Sequence, residues 1–349
     1  MSWQIRPLTH SDAPAACALL EQIAKAGEVL YKPVTVEDFE TRFLADNRWA
    51  FAACNEQGEL IGFAHASAKS SFLNGENADN TPLYLTLLLV HPDWRKQGVG
   101  SALLDAVKAK AKEIGKKNIV VTDMNPVHLA WFIPGAPGHD HNNAPGVDEN
   151  CLGYEFLQKR GFNAGYHEQA MYLNLAEYVW NPALDEKIAA LEADGFTVGV
   201  WQVGMGEEFD GMCDRVGSEY WRNVLKREIA AWHENRANDD PDLWPDGRKP
   251  AGPRPILTAV KDGHIVGFTG PVDRQDSGRG WFTGICTDPQ VEGKGIGTVL
   301  FNLLMKAFVE EGAQFSSLFT GLDNHAQKVY KRAGFKPVAY WALMKCTLE

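Results

Sequence analysis

Short runs of alternating apolar and polar residues, amphipathic stretches of helical period and glycine-rich turns succeed one another twice along the 349-residue chain. In the first half, Trp3–Pro7, Ala50–Cys54, Leu60–Ser67, Leu83–Val90 and Ile119–Thr122 read as strands, with a hairpin across Glu56-Gln-Gly58. After the fourth of these, Leu103, Leu104, Val107, Ala111 and Ile114 recur at the spacing of one helix face. The second half repeats the order: strands at Thr197–Val203, Ile256–Val260, Ile265–Gly270, Gly280–Thr287 and Phe315–Thr320, with a helix carrying Val299, Leu300, Leu303, Leu304 and Phe308. Between the halves, Ala183–Ala193 reads as a short surface helix that Gly195 ends.

The repetition extends to residue identity. Val90-His-Pro-Asp-Trp-Arg-Lys-Gln-Gly-Val-Gly100 matches Thr287-Asp-Pro-Gln-Val-Glu-Gly-Lys-Gly-Ile-Gly297, so that Gly98 and Gly295 stand 197 residues apart. Glu59-Leu-Ile-Gly-Phe63 has its echo in His264-Ile-Val-Gly-Phe268, and Phe156-Leu-Gln-Lys-Arg-Gly-Phe162 in Val329-Tyr-Lys-Arg-Ala-Gly-Phe335. Three echoes in one order describe two copies of a domain. The expected division is an N-terminal domain over 1–175, a linker helix over 176–195 and a C-terminal domain over 196–349. The fold class is α/β (α+β), each copy a mixed twisted sheet flanked by helices.

Composition narrows the function. Hydrophobic residues at 45% and charged residues at 23% are those of a globular chain, and the net charge of −11 argues against a nucleic-acid binder. No apolar run reaches the ~18–20 residues of a membrane span, and the opening residues lack a secretory signal's apolar core. Six dispersed cysteines with no Cys-x-x-Cys pair fit reduced thiols in a cytoplasm.

A strand that feeds a Gly-x-Gly turn and then a helix aims several backbone N–H groups at one point, where the helix dipole adds positive potential. Gly98, Gly100, Gly293, Gly295 and Gly297 fit this anion seat, and Arg95, Lys96 and Lys294 add charge. The alternative role for these glycines is tight strand–helix packing. A Gly-x-x-x-x-Gly-Lys-[Ser/Thr] loop is missing, as is a Gly-x-Gly-x-x-Gly with its distal acidic residue, which disfavours nucleoside triphosphatases and dinucleotide folds.

With Arg95-Lys-Gln-Gly-Val-Gly100 as a full match, and Glu292-Gly-Lys-Gly-Ile-Gly297 departing at its first residue, the sequence resembles the GNAT N-acetyltransferase superfamily. Its tandem layout resembles that of mycothiol synthase. The resemblance implies a sheet splayed between two parallel strands, with acetyl-CoA as co-substrate in the splay. The pyrophosphate would lie on Arg95, Lys96, Gln97, Gly98, Val99, Gly100 and Ser101, or on Gly293, Lys294, Gly295, Ile296, Gly297 and Thr298. The pantetheine would run along Leu88 and Val90, or Ile285 and Thr287. Asn324 and Tyr330, six residues apart, match the family's cofactor-contacting Asn and its Tyr acid, whereas the first copy has Cys151 and Leu157 there. The resemblance therefore places the chemistry in the second domain, with Tyr330 as general acid and a small-molecule primary amine as acceptor. It requires no metal, and it leaves oligomeric state open. A catalytically degenerate CoA-binding sensor or scaffold, and activity in the first domain, are the alternatives.

Two elaborations bear on the acceptor. The first copy holds about 24 extra residues between Gly100 and Gly161, around Val127–Asp148. That insert reads first as a Pro/Gly-shaped surface loop with solvated polar residues. Acceptor or interdomain contacts come second, and a metal on His139, Asp140 and His141 third, for which the spacing is poor. Between Tyr220 and Pro255, Trp221, Trp232 and Trp244 are interleaved with Glu228, Glu234, Asp239, Asp240 and Asp242. An amphipathic helix with a solvated loop is the plain reading, and a cation-binding face the functional one. Glu219 and His233 are candidate bases, alongside a water relay.

Overall fold

The computed structural model describes residues 2–72, 75–237 and 252–348. The chain divides into two compact units, Met1–Ala170 with Val338–Glu349, and Met171–Pro337.

The N-terminal unit runs β1 (Trp3–Pro7), α1 (Ala13–Lys25), β2 (Arg48–Asn55), β3 (Leu60–Ser67), β4 (Leu83–Val90), α2 (Val99–Glu113), β5 (Asn118–Val121), α3 (Leu152–Gln158) and the start of β6 (Asn163–Asn174). Strands β1 to β4 pair antiparallel in sequence order. β4 is apolar on both faces because helices cover both. Leu83 and Leu85 pack with Leu103, Leu104 and Val107 of α2, and Leu87 and Leu89 with Ala16, Leu20 and Ile23 of α1. Simple alternation would put all four leucines on one face. The change of face comes from a bulge: His65 pairs Leu87 and Ala66 pairs Leu85, leaving Thr86 as the extra residue.

The bulge also marks where β4 parts from its other neighbour. β5 runs parallel to β4 but meets it only at Leu83↔Ile119 and Tyr84↔Val120. Buried Asn125 stands at the parting. Its Nδ2 donates to Thr86 Oγ1 (3.0 Å), and its Oδ1 accepts from Ser67 Oγ (2.8 Å) and the Val127 N–H (2.9 Å).

The C-terminal unit follows with α4 (Ala183–Ala193), β7 (Phe196–Val200), α5 (Asp210–Val216), α6 (Glu219–His233), β8 (Leu257–Lys261), β9 (His264–Gly270), β10 (Gly284–Thr287), α7 (Ile296–Glu310), β11 (Phe315–Gly321) and α8 (Gln327–Arg332). Gly195 ends α4 at φ +82°, a conformation that favours glycine. β7, β8, β9 and β10 form an antiparallel sheet. The single strand expected over Gly280–Thr287 is interrupted. Arg279–Trp281 pairs parallel with β11 at Arg279↔Phe315 and Gly280↔Ser316, and β10 begins only after Phe282 and Thr283. Behind it, α7 buries Val299, Leu300, Leu304 and Phe308 in the unit's core.

The last strand, β12 (Lys336–Thr347), returns to the N-terminal unit. It pairs antiparallel with β5 from Met344↔Val121 to Thr347↔Asn118, and with Val147–Asp148 at Ala342↔Val147 and Trp341↔Asp148. Conversely, the end of β6 lies in the C-terminal unit, where Met171 and Leu173 join the core and the Leu175 N–H donates to Gln314 O (3.0 Å). Each unit thus takes a strand segment from the other sequence half, and the boundaries differ from the consecutive domains 1–175 and 196–349. Hydrophobic pattern shows which face of a strand is buried, but the same pattern serves either sheet.

Candidate functional site

The two glycine loops have one backbone shape. In the first, Lys96 and Gly98 lie in the left-handed region at φ +60° and +87°; in the second, Gly293 and Gly295 lie there at +82° each. At Gly295 a Cβ would meet nothing within 4 Å, so the backbone angle rather than crowding asks for glycine. The first backbone bonds of α2 and α7 are Ala102 N–H to Gly98 O and Val299 N–H to Gly295 O, 3.0 Å each. The N–H groups of Val99, Gly100 and Ser101, and of Ile296, Gly297 and Thr298, therefore have no acceptor within their helix, and they sit at its positive end. The Val99 and Ile296 side chains are buried, so these two residues offer their amides alone.

Strand register aims a second set of polar groups. The His91 N–H donates to Ile61 O (2.8 Å), so Leu89 and Leu87 also face β3 while Val90 and Leu88 turn their N–H and C=O groups the other way. The Asp288 N–H donates to Val266 O (2.9 Å), which turns Thr287 and Ile285 outward from β9 in the same manner. Past the bulge, among the described residues, β4 has no parallel partner to take those groups. In the N-terminal unit they border a cleft of about 560 Å³ lined by Leu88, Val90, Lys96, Gly98, Phe156 and Arg160, among others.

Charge separates the two loops. Arg95 bonds Val90 O through Nε (3.0 Å) and pairs with Glu28 (2.5 Å), so its charge is partly neutralised. Gln97 turns back to Asp93 O (2.8 Å). Lys96 is exposed and has no ion pair among the described residues. Arg160, which the motif did not single out, bonds Ser101 Oγ (2.5 Å) and lies over the Phe156 ring at 5.2 Å. Its one sequence signal was the Lys159-Arg160 pair before Gly161. In the second loop, Glu292 replaces the arginine, Lys294 is tied to Asp194 (2.6 Å), and Ala333 stands where alignment on Gly161 and Gly334 places Arg160.

Tyr330 is buried among Phe301 and Phe335, with ring centroids 4.9 and 6.3 Å away. Burial pushes its phenol up to about 12. The exposed Asn324 shapes the turn into α8, accepting the Ala326 N–H on Oδ1 (2.9 Å). Leu157 is buried in the N-terminal core, and Cys151 borders the cleft with its thiol pushed up by burial. Sequence reasoning also passed over Glu168 of β6, whose carboxyl is pushed up to about 7 by burial first and the charge of Asp123 second.

The insert corrects its expectation of a solvated loop. Trp131–Phe132 pairs with Asp140–His141. Fully buried Trp131 donates through Nε1 to Asn143 O (2.9 Å), stacks on His141 at 5.8 Å and meets Trp341 edge-on at 5.1 Å. Asp140 pairs with Lys32 (2.6 Å), and His141 Nδ1 accepts the Asn143 N–H (3.2 Å). Among the described residues no group of three or more His, Cys, Asp or Glu is placed to hold a metal.

In the C-terminal unit, α6 is the expected amphipathic helix, capped by Ser218. Glu228 is buried against Arg254 (3.0 Å), Glu219 bonds Arg222 (3.0 Å) and His233 bonds Glu207 (3.0 Å). Trp244, Asp239, Asp240 and Asp242 lie outside the described residues. Among those described, no helix is long and apolar enough to cross a membrane.

The model of the acetyltransferase (GNAT) family matches residues 17–131 and 219–335. An aminoglycoside N(6')-acetyltransferase type 1 of Stenotrophomonas maltophilia is 37% identical over 81 residues, 23% of this chain and 52% of that protein. The chain spans about half the length of the curated relatives it matches. Among solved structures, a GCN5-related N-acetyltransferase from Sphaerobacter thermophilus has a TM-score of 0.57 at 17% identity, over 99% of this chain and 96% of that one. A tandem GNAT protein from the clavulanic acid biosynthesis pathway has a TM-score of 0.55 at 16% identity, over 100% and 99%. These two likenesses show the fold.

Proposed function

The chain belongs to the acetyltransferase (GNAT) family, and on that premise we propose that it transfers an acetyl group from acetyl-CoA to a primary amine of a small molecule. The observation that carries this reading is the repeated pairing of an outward-facing strand edge with a left-handed glycine turn at a helix head. Amides in an extended chain match the outward N–H and C=O groups of Leu88 and the N–H of Val90, whose C=O is held by Arg95, or the outward groups of Ile285 and Thr287. Phosphates match the amides of Val99–Ser101, or Ile296–Thr298. The amine nitrogen bonds to the thioester carbonyl carbon as the carbon–sulfur bond breaks. One proton leaves the nitrogen for water, and another reaches the departing sulfur.

We place that step in the C-terminal unit, with Tyr330 giving the proton to sulfur. A phenol held near 12 keeps its proton at neutral pH, as an acid must before the step. The relative named for aminoglycosides suggests an amino-sugar as a first acceptor to try. The acidic balance suits a cationic acceptor, and six cysteines outside any disulfide suit a cytoplasmic setting. Thiol release from acetyl-CoA across a panel of amines tests the activity; no acetylated product from any amine, despite bound acetyl-CoA, would sink it.

A second reading, chemistry in the N-terminal unit, is favoured by the cleft of about 560 Å³ beside Leu88 and Val90. Under it, Tyr330→Phe leaves turnover unchanged and Gly98→Asp abolishes it.

A further inference from the structure

Arg160 stands in a setting that the glycine motif does not describe. The residue follows α3, and α2 grips it at two points on one face. Ser101 Oγ, in the helix's first turn, accepts from the guanidinium (2.5 Å), while Lys108 Nζ, two turns on, donates to the Arg160 carbonyl (2.9 Å). The guanidinium carbon lies over the Phe156 ring, 5.2 Å from its centroid. No carboxylate among the described residues pairs with it, since the neighbouring Glu155 is engaged by Lys159 (3.0 Å). The side chain is exposed and borders the cleft beside Lys96 and Gly98. A guanidinium over an aromatic ring, lacking an anionic partner and held beside the unbonded amides of a helix start, is a fork for phosphate oxygens.

We propose that Arg160 is a phosphate-binding residue of the N-terminal cleft, which adds a guanidinium beside the amides that follow the glycine loop. This rests on the reading of that cleft as a seat for acetyl-CoA. It makes the two seats unequal. The second unit has Ala333 at the matching position, and its loop lysine, Lys294, is engaged by Asp194. The N-terminal seat is therefore the tighter one for the nucleotide end of the molecule.

The test is a set of titrations in the full-length chain with the second loop blocked by Gly295→Asp. Arg160 is compared with Arg160→Gln and Arg160→Lys, using acetyl-CoA, dephospho-acetyl-CoA and S-acetyl-pantetheine, which carries no nucleotide phosphate. Losing one charge-assisted bond corresponds to a weakening of roughly ten- to a hundredfold. Arg160→Gln is expected to weaken acetyl-CoA by that factor, Arg160→Lys by less, and S-acetyl-pantetheine not at all. An equal loss for the dephospho compound assigns Arg160 to the diphosphate; a loss confined to acetyl-CoA assigns it to the 3′-phosphate. Unchanged affinity for acetyl-CoA overturns the proposal. So does an equal loss for S-acetyl-pantetheine, which would make Arg160 only a tie between α3 and α2. A chain with Arg160 intact that binds no acetyl-CoA overturns the reading of the cleft itself, a result distinct from either.

Discussion

Thr86 and Thr283, 197 residues apart, hold one place in the two units: each lies where the central strand is interrupted just past its parallel pairing. Before that residue the strand is tied to its parallel neighbour; after it, no strand among the described residues pairs with that edge in parallel. That edge leads into the glycine loop, so the break in the strand and the loop at its end form one device.

In the N-terminal unit Asn125 stands at that break and bonds the residues on either side of it. Asn125→Ala leaves the buried Ser67 and Thr86 hydroxyls and the Val127 N–H short of a partner. At about 1–3 kcal/mol for a buried group left unsatisfied, the expected loss is roughly 3 kcal/mol, read from urea unfolding. Affinity for acetyl-CoA should fall with it. A change under about 0.5 kcal/mol would show that the network does not hold the splay.

The loop glycines should respond unequally. Gly98 lies at φ +87°, where a Cβ costs about 1–2 kcal/mol, so Gly98→Ala should lower the thermal midpoint. Gly100 is helical, and a methyl there would meet Phe156 and Val90 at an ordinary 3.6 Å. Gly100→Ala should therefore be neutral or raise stability by up to about 1 kcal/mol.

Tyr330→Phe should lower turnover by about 10²- to 10⁴-fold and leave acetyl-CoA affinity nearly unchanged. Because the phenol is held near 12, its loss of a proton should not cut turnover at neutral or mildly alkaline pH. Single-turnover rates of both proteins across pH check both points.

Glu168 gives stability a pH dependence. Its native carboxyl is raised from 4.5 to about 7, so the folded state holds the proton more tightly than the unfolded chain. That contribution is complete below about 4.5 and is lost as pH rises through 7. Glu168→Gln should therefore gain on the parent protein between pH 4.5 and 8, in urea midpoints measured at both ends. An equal difference at the two pH values would contradict the shift.

Much of this arrangement was legible in the residues. β1, β3 and β4 have the bounds that alternation predicts, and the repeated motif located both left-handed loops because such a turn before a helix leaves few choices beyond glycine. Other features depend on contacts between distant residues. β12 was not read from the sequence, and its buried Trp341 and Met344 carry no sign that β5 is its neighbour. The Trp131 and His141 stack turns a polar-looking insert into packed structure. The Lys294–Asp194 pair and the Arg160–Ser101 bond cross 100 and 59 residues, and only the fold brings their ends together.

On the proposed function, each glycine loop is expected to seat one acetyl-CoA. Calorimetric titration of the full-length chain with acetyl-CoA, read for stoichiometry, tests it most directly. Two sites per chain are expected, with Gly98→Asp and Gly295→Asp each removing one and the double variant binding none. Full binding in the double variant, or no binding in the parent chain, would contradict it.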